Sequence, residues 1–474
     1  MTDDIFYASL TELNDRLRKR EFSAVELTRA FAERLEKSGP RLNALALPLT
    51  EIALRRAKEV DDDLKHERFH GPLQGIPYGA KDLLSFAGHP TTWGAKPYAG
   101  QVFDETATVL QKLDKSGSVL IGKLSLVELA GGGGYRMAGA SLFGPGLNPW
   151  DTSRWSGGSS SGPASAVAAG LVPFALGSET SGSLISPSAY CGITGLRPTY
   201  GLVSRHGAMA LSWTMDKIGP MCRSAEDCGL VLQVIAGSDS KDPGSAGKSF
   251  YYTPQYARKL SDLTIGISAD DLDWADTDSR PALEAAMRVV RELGARVVEV
   301  SLPDLPYGSL TDIIIGSEGG AVFESLITSG KVDDLADPSQ AAGLKANLGV
   351  LAKDYLRAMR IRSVVKQQLR ELFTTVDVLV APARYNAAPK IAEPLDGPDP
   401  APSGQPKSAG MRALIPAGNL AGLPGLSLPC GFAGGLPVAL QFVGPAFSEN
   451  MLLALGREFQ TRTDWHKRRP PLHN

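Results

Sequence analysis

Cysteine is scarce in this chain: there are four, Cys191, Cys222, Cys228 and Cys430, and none forms a C-x-x-C pair. That spacing argues against a zinc ribbon, a redox dithiol or a disulfide framework. No basic segment leads into an apolar stretch at the start, and no window reaches the roughly 18 uninterrupted apolar residues that a bilayer span requires. The chain therefore reads as cytoplasmic, with reduced thiols. An excess of one charge is also missing, since 49 basic residues face 51 acidic ones for a net charge of −2. No global field attracts nucleic acid or an anionic membrane, and a small, nearly neutral substrate is the easier fit. No internal repeat is present.

Apolar residues are plentiful, at 43 % of 474, enough for a substantial core. Residues 1–70 read as a helical N-terminal segment, with Ser23-Ala-Val-Glu26 as a capping box before LTRAFAERLEKS. Gly71-Pro72 ends that pattern. Beyond it, short apolar runs alternate with helical stretches: SVLIGKL (118–124), LVPFALG (171–177), LTIGIS (263–268), RVVEVSL (296–302), DVLVAP (377–382) and LPVALQFVG (436–444). The alternation predicts an α/β fold with a sheet packed between helices, in a single large domain over 1–474. Six prolines within 389–406 exclude a helix or a central strand there, so 384–408 is expected to be a loop.

The segment WSGGSSSG (155–162) admits several readings. A flexible linker fits its composition, but it runs straight into PASAVAAG, where Pro163 suits the first turn of a helix. A phosphate loop would need Gly-Lys-Ser/Thr at its end, and Gly162 is followed by Pro163. Gly158-Ser-Ser-Ser-Gly162 satisfies the G-x-S-x-G nucleophile elbow with Ser160 as nucleophile. However, LNPWDTSRW before it does not read as a strand, and only His206, His466 and His473 follow. A second cluster, GSETSGSLISPSAYCG (177–192), contains Thr180-Ser181-Gly182-Ser183, whose successive N–H groups can converge on an oxyanion. A serine there needs a base. Lysine is the next resort after histidine, and Lys81 in GIPYGAKDLL (75–84) stands where a strand would end inside the fold. A surface lysine paired with Asp82 is the plainer alternative.

Together these blocks resemble the amidase signature family, and the resemblance implies a central mixed β-sheet flanked by helices with a catalytic core over 71–240. GIPYGAKD (75–82), GPGLNPWD (144–151), GGSSSG (157–162), GSETSGSLISPSAYCGITGLRPTYG (177–201) and NLAGLPGLSLPCG (419–431) match it in order and spacing. The resemblance implies a Ser-Ser-Lys triad with Ser183 as nucleophile, Ser159 as bridging serine and Lys81 as base, the two serines being 24 residues apart. It places the oxyanion donors at Thr180, Ser181 and Gly182 together with Ser183, and a cis peptide at Gly158–Ser159. Ser160 and Ser161 become scaffold, and neither metal nor organic cofactor is required.

Where the family usually has Asp-Thr-Gly-Gly-Ser-Ile-Arg, this chain reads Glu179-Thr-Ser-Gly-Ser-Leu-Ile185. Ser181 thus stands at a place where glycine's positive φ could matter, and a positive charge is lost at Ile185. Within the glycine run 131–134, Gly132 and Gly133 resemble the substrate-binding loop of relatives and are expected to leave room for bulky aryl amides. The implied function is hydrolysis of the C–N bond of a small neutral amide, with an aryl amide, anilide or carbamate (urethane) as candidates. The alternative is the glutamine-hydrolysing A subunit of an aminoacyl-tRNA amidotransferase. Its acidic glutamine contact is expected just before the IPxNLAG block, where this chain has Gly410, Met411 and Arg412. A non-catalytic binding descendant is a third class. The expected partners are the small-molecule substrate alone, with no nucleic acid or membrane, and a homodimer is left open.

Overall fold

The computed structural model describes residues 3–256, 258–268, 271–395 and 410–471. An eleven-stranded mixed sheet runs through the molecule. Its order is Leu45–Pro48, Val119–Leu124, Pro77–Lys81, Ala175–Glu179, Lys217–Cys222, Thr194–Arg197, Gly425–Ala433, Leu436–Val443, Val378–Pro382, Thr264–Ile267 and Arg296–Glu299. Pro77–Lys81 lies parallel to both of its neighbours, whereas Ala175–Glu179 pairs antiparallel with Lys217–Cys222. Helices flank the sheet, so its central strands are buried on both faces and read as nearly continuous apolar runs. The fold is thus the single large α/β domain expected. Among the described residues no helix is long and apolar enough to cross a membrane.

The predicted elements largely appear, with shifts that have local causes. Ser23 caps the helix Ala24–Ser38 in a complete capping box with Glu26. The run LVPFALG forms a strand only from Ala175, because 171–174 is the bend leaving the helix Ser161–Ala168. The strand Lys217–Cys222 carried no signal, since lysine and proline interrupt its apolar pattern, yet it is buried along its whole length. Pro429 falls beside a register shift in Gly425–Ala433, where a missing N–H is tolerated. The segment LNPWDTSRW, expected to be irregular, forms a small antiparallel hairpin of Leu147–Asn148 with Asp151–Trp155. This hairpin lies outside the main sheet and is exposed over Asp151–Ser153. The proline-rich loop is described only to residue 395, and the rest of that expectation lies outside the described residues.

Fully buried charge sits in the middle of the sheet. Arg197 and Glu179 are each 0 % exposed and 2.8 Å apart. Gly418 and Gly425 make room for the guanidinium, since a Cβ on either would stand 2.6 or 2.9 Å from Arg197 Nη2. Breaking a buried pair from one side leaves the other charge without compensation, which costs about 3–5 kcal/mol. Arg197→Met is therefore expected to lower the urea midpoint by that order of stability, and adding Glu179→Gln to recover part of it. An unmoved midpoint in the single variant would refute this.

Candidate active site

Lys81 is the last residue of a strand buried throughout, and its parallel neighbour Ala175–Glu179 is aligned with Ala80 opposite Leu176. The two strands end side by side, at the carboxyl edge where open α/β sheets form their sites. The Lys81 amine lies 2.8 Å from Ser159 Oγ, 3.0 Å from Ser160 Oγ and 2.9 Å from Ser178 Oγ. Gly177 permits this crowding, because a Cβ there would stand 3.0 Å from Ser160 Oγ. The Gly158–Ser159 peptide is cis. Ser160, expected to be scaffold, touches the amine directly, and Ser178 was not foreseen at all.

Burial drives the Lys81 amine down to about 7, while Asp216 and Glu179 oppose the shift by favouring the ammonium. Asp82, expected to act on this amine if close, does not do so. Its carboxylate pairs with buried Lys123 at 2.7 Å and accepts hydrogen bonds from the N–H and hydroxyl of Thr92. Adjacent residues at a strand end point to opposite sides, which separates Lys81 from Asp82.

The three hydroxyls have different freedom. An ammonium donates to all three, whereas a neutral amine must receive a proton on its lone pair. Ser160 donates its own proton to the Ser178 carbonyl at 3.1 Å, so Ser159 and Ser178 are the hydroxyls able to serve the free amine. Ser159→Ala is accordingly expected to cut kcat at least about tenfold more than Ser160→Ala, within the 10²–10⁴ typical of acid–base groups. Steady-state assays of the two variants check this, and the reverse order would revive the elbow reading. That reading has little support otherwise, since His206 is engaged at 2.8 Å with Glu105.

After Glu179 the chain turns through Thr180–Leu184 into the short helix Ile185–Cys191. Gly182 carries the positive φ of the turn, at 96°, and Ser181 is not among the positive-φ residues. The glycine-to-serine exchange at 181 therefore imposes no backbone strain. Ser183 is 9 % exposed. Glu179 pins the turn from behind: one carboxylate oxygen accepts from the N–H groups of Leu184 and Ile185 at 2.8 and 3.0 Å. The other accepts from Arg197 and from the Asn419 amide at 2.8 and 2.7 Å. Against the cost of burial, Arg197 and Lys217 hold this carboxyl down to about 2. Asp216 accepts from the Thr180 hydroxyl at 2.6 Å and from the N–H groups of Leu211 and Ser212 at 2.8 and 2.9 Å. Burial nevertheless raises its pKa. Sequence reasoning missed these anchors, because each carboxylate combines local N–H donors with a partner far along the chain, Asn419 for Glu179 and Thr180 for Asp216.

The glycine loop is closely packed at Gly132 and Gly133. A Cβ on Gly132 would meet Leu211 Cδ1 at 2.9 Å and Phe323 Cε2 at 3.2 Å, and one on Gly133 would meet the Gln340 carbonyl at 2.5 Å. These glycines allow neighbouring elements to approach closely, and a side chain at either position would not fit. Open space borders the site in two clefts, one of about 290 Å³ lined by Ala130, Ser178, Thr180 and Asp216 and one of about 610 Å³ lined by Trp274, Arg384, Arg412 and Ile415. A Cβ on Gly182 would stand 3.3 Å from Ile415 Cγ2, so the larger cleft borders the turn that carries Ser183.

A buried lysine ringed by serine hydroxyls at a strand edge, beside a pinned glycine turn, is an arrangement suited to serine-based acyl transfer. A family model described as Amidase matches residues 26–453, and the chain belongs to the amidase signature family. The A subunit of a glutamyl-tRNA(Gln) amidotransferase from Carboxydothermus hydrogenoformans is 36 % identical over 99 % of this chain and 100 % of its own length. The crystal structure of a peptide amidase from Stenotrophomonas maltophilia is 29 % identical, with a TM-score of 0.83 and 98 % of each chain covered. A bacterial aryl acylamidase superimposes with a TM-score of 0.86 over 98 % of this chain and 99 % of its own, but its 22 % identity makes that a likeness of fold.

Proposed function

We propose that this chain is a serine amidase in which Ser183 is the nucleophile, Ser159 the proton relay and Lys81 the base. The observation that carries the reading is the buried amine 2.8 Å from Ser159 Oγ, lowered to about 7. Neutral Lys81 takes the Ser159 proton as Ser159 takes that of Ser183. Ser183 Oγ then bonds to the amide carbon, and the carbonyl electrons move onto oxygen facing the N–H groups of Thr180, Ser181, Gly182 and Ser183. Collapse breaks the C–N bond, and the proton returns through Ser159 to the departing amine. Water adds to the acyl-enzyme by the same relay and releases the acid.

For the substrate, identity to A subunits supports the glutamine-hydrolysing alternative ahead of aryl amides or carbamates. The names of those relatives make each one subunit of an assembly, so a partner chain belongs to that reading. A second, free-standing reading is favoured by the site itself: Met411 is 0 % exposed and Arg412 stacks over Trp274 at 4.0 Å, where an acidic glutamine contact was expected. Both readings place the chain in the cytoplasm. The purified chain alone, given glutamine, primary amides, p-nitroanilides and aryl carbamates, separates them. Glutamate release selects the first reading, and amide or carbamate turnover without glutaminase activity selects the second. No turnover of any of them, together with no fluorophosphonate labelling of Ser183, would sink the amidase proposal.

A further inference from the structure

The cleft beside the Ser183 turn contains Arg384, a cation that pairs with no carboxylate of the described residues. Arg384 Nε and Nη2 both donate to Ser186 Oγ, at 3.0 and 2.6 Å, and its guanidinium stands 5.9 Å from the ring centre of Tyr190. No carboxylate pairs with Arg384 among the described residues. Ser186 is tied to the nucleophile's own turn. Its N–H donates to the Gly182 carbonyl at 2.8 Å, and its Oγ would lie 3.2 Å from a Cβ on Gly182. Arg384 and Ile415 line the same cleft, and Ile415 is also the side chain that a Cβ on Gly182 would meet.

We propose that Arg384, held by Ser186, is a specificity residue that reads a carboxylate on the substrate, so that the preferred amide is anionic rather than neutral. This rests on the amidase reading of the same site. A guanidinium whose Nε edge is fixed by a hydroxyl is oriented before any ligand arrives, and its planar fork matches a carboxylate. The other charged residues lining the cleft are Arg412, which stacks over Trp274, and Asp276, whose carboxylate accepts from the Ser279 N–H at 2.6 Å. The chain's net charge of −2 had suggested a neutral substrate. A local cleft can carry the opposite sign to the whole surface.

The test uses two matched substrate pairs. Glutaryl and butyryl p-nitroanilide differ by a carboxylate on the acyl side, and 4-carboxyacetanilide and acetanilide by one on the amine side. In the wild type one charged member should be preferred, and in Arg384→Gln the charged-to-neutral ratio of kcat/KM for that pair should fall about tenfold or more, the loss of one charge-assisted contact. Unchanged ratios in both pairs would overturn the inference. A measurement on the wild type alone accompanies it: glutarate should slow fluorophosphonate labelling of Ser183 more than glutaramide does. Labelling that proceeds with equal sensitivity to the two also overturns the carboxylate reading while leaving the amidase intact. Absence of labelling removes the amidase proposal, and the inference with it.

Discussion

Ser183→Ala is expected to reduce kcat by roughly 10⁴-fold or more, because it removes the atom that forms the acyl-enzyme and no other group can replace it. Substrate affinity should survive, since the turn is pinned by Glu179 through the N–H groups of Leu184 and Ile185 rather than by the Ser183 hydroxyl. Backbone geometry is also preserved, as the positive φ of the turn is at Gly182. Single-turnover kinetics and inhibitor binding on the purified variant would check both halves. Retention of a tenth of the wild-type rate would exclude Ser183 as the nucleophile.

Lys81 should produce the second large effect, and its direction with pH can be stated in advance. The free amine is the active form, so kcat/KM should rise about tenfold per pH unit on the acidic side and level off above about 7, where the amine has lost its proton. Lys81→Ala removes the base and that limb together. Lys81→Arg keeps the charge but cannot accept a proton, so it should be equally inactive across the profile. Comparable rates for Lys81→Arg and wild type would eliminate lysine as the base. Asp216 favours the ammonium, so weakening that carboxylate should move the limb to lower pH.

The legible parts of this site were those written in consecutive residues. Ser159, Gly182 and Ser183 lie in tight glycine-serine runs, and Lys81 ends a short buried strand, so spacing and local pattern pointed to them. What escaped notice was held by sheet register and by distant partners. Ser178 reaches Lys81 only because two parallel strands are aligned side by side, and nothing in either segment announces that alignment. The pairing of Lys81 with Asp82, which adjacency offered as the plainer alternative, is not formed, because the strand's alternation sends Asp82 to Lys123. The strand Lys217–Cys222 was hidden by its buried lysine, whose partner Asn419 stands 202 residues away. Gly132 and Gly133 gave no sign of Leu211 and Gln340 beside them, because a bare glycine carries no record of what packs against it.

The Glu179 anchor also bears on when the protein can become active as it is made. Glu179 reaches across 240 residues to the amide of Asn419, and its companion Arg197 lies on a strand whose far edge is completed by Gly425–Ala433. A ribosome has released Lys81, Ser159 and Ser183 long before it reaches either element. Until the final stretch emerges, the reactive serine has its neighbours in sequence but not the support behind its turn. A chain cut short before residue 419 would therefore carry all three residues of the proposed triad and still lack the supports behind the turn that Asn419 and Gly425–Ala433 supply.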